Sequence, residues 1–389
     1  MKRTLPVLVF LALLIPASTA YGDGCPAPCS GENASPPGAK LLFVQPDGPA
    51  GRLVAYDTKT GRPVFAFPPG RASADGRAYV VARPNARRGT TVLVQYSVAT
   101  GRLIRAWPVR GSWTLAAVAP SSRWAVLSRR AGRFTHVALV DLARVEPVRT
   151  TRLRGNFEVE TVSADGRRLF LIQHLDARGY LVRLYDFRAR RLASEPLRGG
   201  DDKLMAGYAW GGVGSRDGRW LLTLYLDTRR SHAFVHALDL VRTQPRCIDL
   251  PSHGGFSRLR QYSMTLNPTN GRLLAANPAL GVVSEIDLGK HRVLSTARFT
   301  GASGGEAAAR RGQASLLAAI TRNGRMLYFS NGRLLWAYDA AYAVVRGPYA
   351  TGGEIVGLGY GAGDRRLHVV RRDGAMLSFD AATGRRLRR

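Results

Sequence analysis

An all-β fold, assembled as a ring or array of small antiparallel sheets, is the architecture this sequence predicts, on three observations. The first is a recurring turn of the type Asp-Gly-Arg or Asn-Gly-Arg, each copy followed by a short apolar strand. Copies occur at Asp75–Arg77, Asp165–Arg167, Asp217–Arg219, Asn270–Arg272 and Asn323–Arg325, with variants at Ser121–Arg123 and Gly363–Arg365. The second is a further turn family, seen at Asp57…Thr60-Gly61, Thr100-Gly101 and Asp380…Thr383-Gly384. The third is the lack of any long helical pattern: the Ala-rich stretch Ala307–Ala309 is short and flanked by glycine. Asp-Gly and Asn-Gly pairs between apolar runs signal hairpins, because both residues tolerate positive φ. In the second family an Asp or Thr side chain bonds nearby amides while glycine takes the left-handed position.

Eight units follow in order, each with three strands after its Gly-Arg turn. They are Lys40–Val44, Leu53–Asp57 and Pro63–Phe67; then Ala78–Ala82, Thr91–Ser97 and Leu103–Trp107; then Trp124–Ser128, Thr135–Asp141 and Val148–Leu153. The fourth holds Arg168–Gln173, Leu181–Asp186 and Arg191–Leu197, and the fifth Trp220–Leu226, Ala233–Asp239 and Arg246–Leu250. The sixth holds Leu273–Ala276, Gly281–Asp287 and Val293–Phe299; the seventh Met326–Ser330, Leu334–Asp339 and Val344–Tyr349; the eighth Leu367–Val370, Ala375–Asp380 and Arg385–Arg389. One more strand precedes most units, at Trp113–Val118, Val159–Val162, Gly207–Val213, Tyr262–Leu266, Ser315–Ile320 and Glu354–Leu358. Four short strands in about 46 residues match the repeat of a propeller blade. The expectation is a single β-propeller of four-stranded antiparallel blades over residues 40–389, with eight blades and seven as the alternative. The first unit lacks a clear innermost strand, since Cys25–Ala39 is rich in Pro, Gly and Ser.

The turn-then-strand segments Ser163–Phe170 and Ser215–Leu222 resemble the repeats of TolB-like, WD40-like and YVTN propellers. Ala55–Gly61 resembles the blade repeat of quinoprotein-type propellers, with Phe65 where those place Trp. The Trp-Asp ending of WD40 repeats is absent. The resemblance implies the blade and leaves the activity open, because propellers host many unrelated functions.

The 389-residue chain opens like a secretion signal over residues 1–20: Lys2 and Arg3, an apolar run from Leu5 to Ile15, then Ser18-Thr19-Ala20. That run is short for a bilayer span, and no later segment reads as a membrane helix. A secreted or envelope location is therefore expected, with residues 21–39 as a Cys/Pro/Gly-rich lead-in. Three cysteines allow a disulfide between Cys25 and Cys29, or between either and Cys247, and leave one thiol over. The net charge of +30 reads either as a compositional preference for Arg or as attraction to anions such as wall polymers, lipid headgroups or acidic proteins. Export, and basic residues spread evenly along the chain, argue against nucleic acid.

In a propeller both tight-turn families lie on one face. The other face carries the varied loops around the central channel, and loop-built concave surfaces are where ligands bind. The expected binding residues on that loop face are Trp113, Glu160, His174, Asp201, Asp202, Tyr208, Trp210, His253, Arg258, Arg260 and Glu306. Arg beside aromatic residues suits carboxylates, phosphates or sugar-like groups. The competing reading is that Trp113 and Trp210 pack between blades.

Gly301–Gly305 matches G-x-S-x-G but lacks the strand-to-helix context that activates such a serine. His232 and His236 on one strand are about 13 Å apart, too far to share a metal. No metal site or cofactor is expected. The function expected is a binding or scaffold module for an envelope protein, peptide or anionic glycan, acting as a monomer. A lactonase-like hydrolase or quinoprotein-like oxidoreductase, with its site assembled from several blades, is the alternative.

Overall fold

The computed structural model describes residues 40–46, 51–144, 146–175, 179–198, 205–301, 317–361 and 363–387. Their strands form eight antiparallel sheets, six four-stranded and two three-stranded. The four-stranded sheets are blades 2 to 7, each running in sequence order from the channel outward. Blade 4, for example, comprises Phe157–Val162, Arg168–His174, Tyr180–Asp186 and the short Arg191–Leu192. Blade 5 comprises Tyr208–Gly214, Trp220–Asp227, His232–Asp239 and Gln244–Asp249.

Blade 1 holds Leu41–Val44, Leu53–Asp57 and Pro63–Phe67, without an innermost strand among the described residues. Blade 8 holds Ile355–Tyr360, Arg366–Arg371 and Met376–Asp380, and a bridge from Phe379 to Arg386 marks its outer edge. The core is divided among the eight interfaces between neighbouring sheets, each with its own apolar cluster. The closing one joins Leu42, Val44 and Tyr56 of blade 1 to Val356, Val370 and Met376 of blade 8. That contact completes an eight-bladed ring. Among the described residues a short α-helix, Phe256–Leu259, lies between blades 5 and 6, and a 3-10 turn, Ala86–Arg88, lies within blade 2. No helix among the described residues is long and apolar enough to cross a membrane.

The repeated turn explains itself atom by atom. In the blade 4 copy the Ser163 hydroxyl donates to Asp165 Oδ1 (2.6 Å), which also accepts the Arg167 N–H (3.0 Å). Gly166 sits at φ +71°. A Cβ there would lie 2.6 Å from the indole of Trp124 in blade 3, so the turn requires glycine for packing as well as for dihedral angle. The variant turns place Ser122 (φ +60°) and Asp364 (φ +55°) in the same left-handed position.

The arginines of these turns have structural work. Arg123 pairs with Asp141 (3.2 Å), Arg219 with Asp239 (3.0 Å) and Arg325 with Asp339 (3.1 Å), in each case tying the turn to the end of the third strand. Arginines on strands clasp the next blade: Arg105 donates to the Ala143 carbonyl (2.7 Å) and Arg168 to the Val241 carbonyl (2.7 Å). Part of the excess positive charge thus serves the ring itself.

Candidate functional site

The innermost strands wall the channel, and on blades 5, 7 and 8 they carry small residues there: Gly214, Ala318, Ala319 and Gly359. The recess they leave is a cavity of about 740 Å³ that opens among the tight turns. This is the face opposite the varied loops where the sequence places the site. Its volume falls in the range of small-molecule pockets, roughly 300–1,000 Å³.

Charge around the cavity is unequal in its commitments. Arg219 is held by Asp239, and Arg272 by Glu285 at 3.0 Å. Asp217 accepts the Arg219 N–H, and Asp287 accepts the N–H groups of Gly289 and Lys290. Those backbone donors hold the Asp287 carboxyl below its usual range. Arg216 stands at the second position of its turn, where blades 2, 3 and 4 have Ala74, Pro120 and Ala164. Among the described residues it makes no ion pair. Its surface is largely exposed, yet the surrounding walls remove enough water to lower its pKa.

A second, smaller cavity of about 30 Å³ shares Ala74, Gly214 and Trp220 with the first and is lined also by Arg71 and Glu160. Arg71, on the short innermost strand of blade 2, is half-buried, and its Nε donates to the Leu115 carbonyl (3.1 Å). Desolvation brings its pKa down to about 10, against the opposing pull of Glu158. Glu160 is the extra residue of a bulge in the innermost strand of blade 4, where the register shifts between Val159 and Thr161. Bulges re-aim side chains. The Glu160 side chain is 1% exposed, and its Oε1 lies 3.6 Å from Nδ1 of the fully buried His236 in blade 5. Among the described residues, neither carboxylate oxygen and neither imidazole nitrogen has a hydrogen-bond partner.

The other residues expected on the loop face separate into groups. Tyr208, Trp210 and Arg260 do converge: the Arg260 guanidinium lies 4.7 Å from the Trp210 ring, and Tyr208 meets that ring edge-on at 6.2 Å. Phe256 joins them, 5.8 Å from Tyr208. Trp113 is a packing residue, buried at the interface of blades 2 and 3, with its indole N–H on the Arg110 carbonyl (2.7 Å). His174 pairs with Glu158 (3.1 Å), apart from the Glu160 pair. His253 and Arg258 are exposed. Asp201, Asp202, Glu306, Cys25, Cys29 and the Gly301–Gly305 motif beyond its first residue lie outside the described residues. Cys247 is exposed on the outer strand of blade 5. His232 pairs with Asp249 (3.1 Å) and His236 faces Glu160, so the two histidines serve separate contacts. No cluster of three or more His, Cys, Asp or Glu suited to a metal occurs among the described residues.

Sequence reasoning passes over Arg216, Arg71 and the partnership of Glu160 with His236. Arg216 stands out only against Ala74, Pro120 and Ala164, and blade 7 has Arg322 at the same turn position. The pairing across blades 4 and 5 leaves no spacing signal at all.

No known family model matches the chain, and no curated protein matches it in sequence. Solved structures do match in shape. The dihydro-heme d1 dehydrogenase NirN, in complex with DHE, aligns with a TM-score of 0.54 at 17% identity, over 90% of this chain and 72% of that one. A eukaryotic initiation factor aligns with a TM-score of 0.51 at 13% identity, over 92% of this chain and 86% of that one. The β-propeller domain of Cps50 (Swd1) from Myceliophteria thermophila aligns at 0.40 and 12% identity, over 78% and 95%. The chain is a β-propeller. At these identities the likeness is one of fold, and the functional reading rests on this chain's own residues.

Proposed function

We propose that this propeller is a binding module that holds a small anionic or partly anionic ligand in the turn-side mouth of its channel. The carrying observation is the cavity of about 740 Å³ with Arg216 at its rim, the one arginine of three there without a carboxylate among the described residues. A cation kept unpaired beside a walled recess favours an anionic group, since forked guanidinium bonds to carboxylate or phosphate strengthen as water is excluded. Trp220 gives the recess an aromatic wall. The leader-like residues 1–20 support an exported module, working in the envelope or outside the cell on a peptide, an anionic glycan fragment or a related small molecule.

A second reading, docking of a protein or sugar on the loop side, rests on the half-buried Tyr208 and Arg260, because Trp210 is buried in the core between blades 5 and 6. The first reading is tested by thermal-shift screening of the purified chain against carboxylates, phosphates, sugar acids, amino acids and short peptides, with turnover checked on each hit. Arg216→Ala should weaken every anionic hit at least ten-fold and leave the unliganded melting temperature unchanged. Hits that bind Arg216→Ala as well as the original protein would refute it.

A further inference from the structure

Two opposite charges line the small cavity at the inner end of the channel site without meeting each other. Arg71 and Glu160 both border it, yet no ion pair joins them. The Arg71 guanidinium is anchored through Nε to the Leu115 carbonyl, and its two Nη groups donate to nothing among the described residues. Among the described residues, Glu160 presents two buried oxygens with no donor, and the buried His236 stands 3.6 Å away, itself without a hydrogen bond. A carboxylate has about four lone-pair sites, and a buried one left without donors is costly.

We propose that this end of the channel receives the head group of an α-amino acid or the free end of a small zwitterion, its ammonium on Glu160 and its carboxylate on Arg71. The inference rests on the reading of the channel as the binding site, and it names the ligand class. A volume of about 30 Å³ admits two or three water-sized groups, since one water needs about 10–15 Å³. That is room for an ammonium and a carboxylate edge and little else. The rest of the ligand then extends past Gly214 and Trp220, the residues common to both cavities, into the larger recess. A dicarboxylate or phosphate would set an anion against Glu160, and a diamine would set a cation against Arg71. A molecule carrying both charges on one carbon, as the ammonium and carboxylate of an α-amino acid are, satisfies each wall, and its competitors are excluded by repulsion. Glu160 borders this cavity as the extra residue of the bulge in its strand.

The test is isothermal titration calorimetry of the full chain against the twenty common α-amino acids, each also as its N-acetyl and its α-carboxamide form. At least one free amino acid should bind, and either modification should weaken it ten-fold or more. Glu160→Gln should remove the penalty for N-acetylation and leave the penalty for amidation, a split that a purely structural role for Glu160 would not produce. If Glu160→Gln does not fold, the three forms measured on the unaltered protein decide alone. Acetylated forms that bind within two-fold of the free ones would overturn the inference. So would a ligand of another class that occupies the cavity while all amino acids fail, with the binding reading left standing. Failure of every small molecule to bind would remove both.

Discussion

Acidification should weaken this propeller through one histidine, and the size of the effect follows from where that residue lies. His368 is on the second strand of blade 8, 2% exposed, with Nδ1 3.1 Å from the Ser378 hydroxyl. Burial, reinforced by the nearby Arg366 charge, lowers its pKa from 6.5 to about 4. Folded protein therefore keeps the imidazole neutral at pH values where the unfolded chain protonates it. A depressed folded-state pKa gives stability that is complete above the unfolded value of about 6.5 and is lost as pH falls toward the folded value. At 1.36 kcal/mol per pKa unit, the loss between pH 7.5 and pH 4 is about 3 kcal/mol. Urea unfolding of the original protein and of His368→Gln, each at pH 7.5 and pH 4, isolates this share because other titrating groups cancel. The stability difference between the two proteins should move by about 3 kcal/mol in the variant's favour on acidification. A difference that shifts by less than about 1 kcal/mol would refute the argument.

Three further outcomes follow from the packing. Gly166→Ala forces a side chain into positive φ against Trp124 and should cost about 1–3 kcal/mol in denaturant unfolding, where the same change at an open turn such as Gly76 should cost only the dihedral part. Trp336→Ala removes a 1%-exposed ring stacked on Phe329 (5.9 Å) between blades 6 and 7, and should cost about 3–5 kcal/mol by the same measurement. Asp57, Asp287 and Asp380 have carboxyls held low by hydrogen bonds within their turns, so their contribution is present above about pH 3.9 and lost as pH falls further. Differential scanning calorimetry should show an acid decline below about pH 4 that a triple Asp→Asn variant reduces.

The fold was legible because the chain writes its blades in local chemistry. Asp165-Gly166-Arg167 and its copies announce the hairpins, and the apolar runs on either side set the strands to within a few residues. Fit was poorest where local chemistry gave no cue. The outer strand of blade 4 is only Arg191–Leu192, shorter than its apolar content suggests. Turn positions with positive φ at Thr243, His291 and Ala343 were invisible because no glycine marks them. The site was less readable than the fold. Tyr208 and Trp210 on the innermost strand of blade 5 and Arg260 after the Phe256–Leu259 helix stand far apart in sequence, and only the fold brings them together. Arg71, Glu160 and Arg216 come from blades 2, 4 and 5, and no spacing along the chain signals that they meet around one channel, while His236 sits on the third strand of blade 5 against Glu160. The recess itself lies on the side of the monotonous turns, where small residues on the innermost strands of blades 5, 7 and 8 leave room.

The claim on which the functional account depends is that ligand occupies that turn-side recess. Ala319 lines it from the innermost strand of blade 7, whereas Arg260 belongs to the loop side. Calorimetric titration of one ligand into Ala319→Trp and Arg260→Ala, both with an unchanged far-ultraviolet spectrum, separates the two faces. Loss of binding in Ala319→Trp with full binding in Arg260→Ala is the predicted result. Full binding in Ala319→Trp with loss in Arg260→Ala would contradict it.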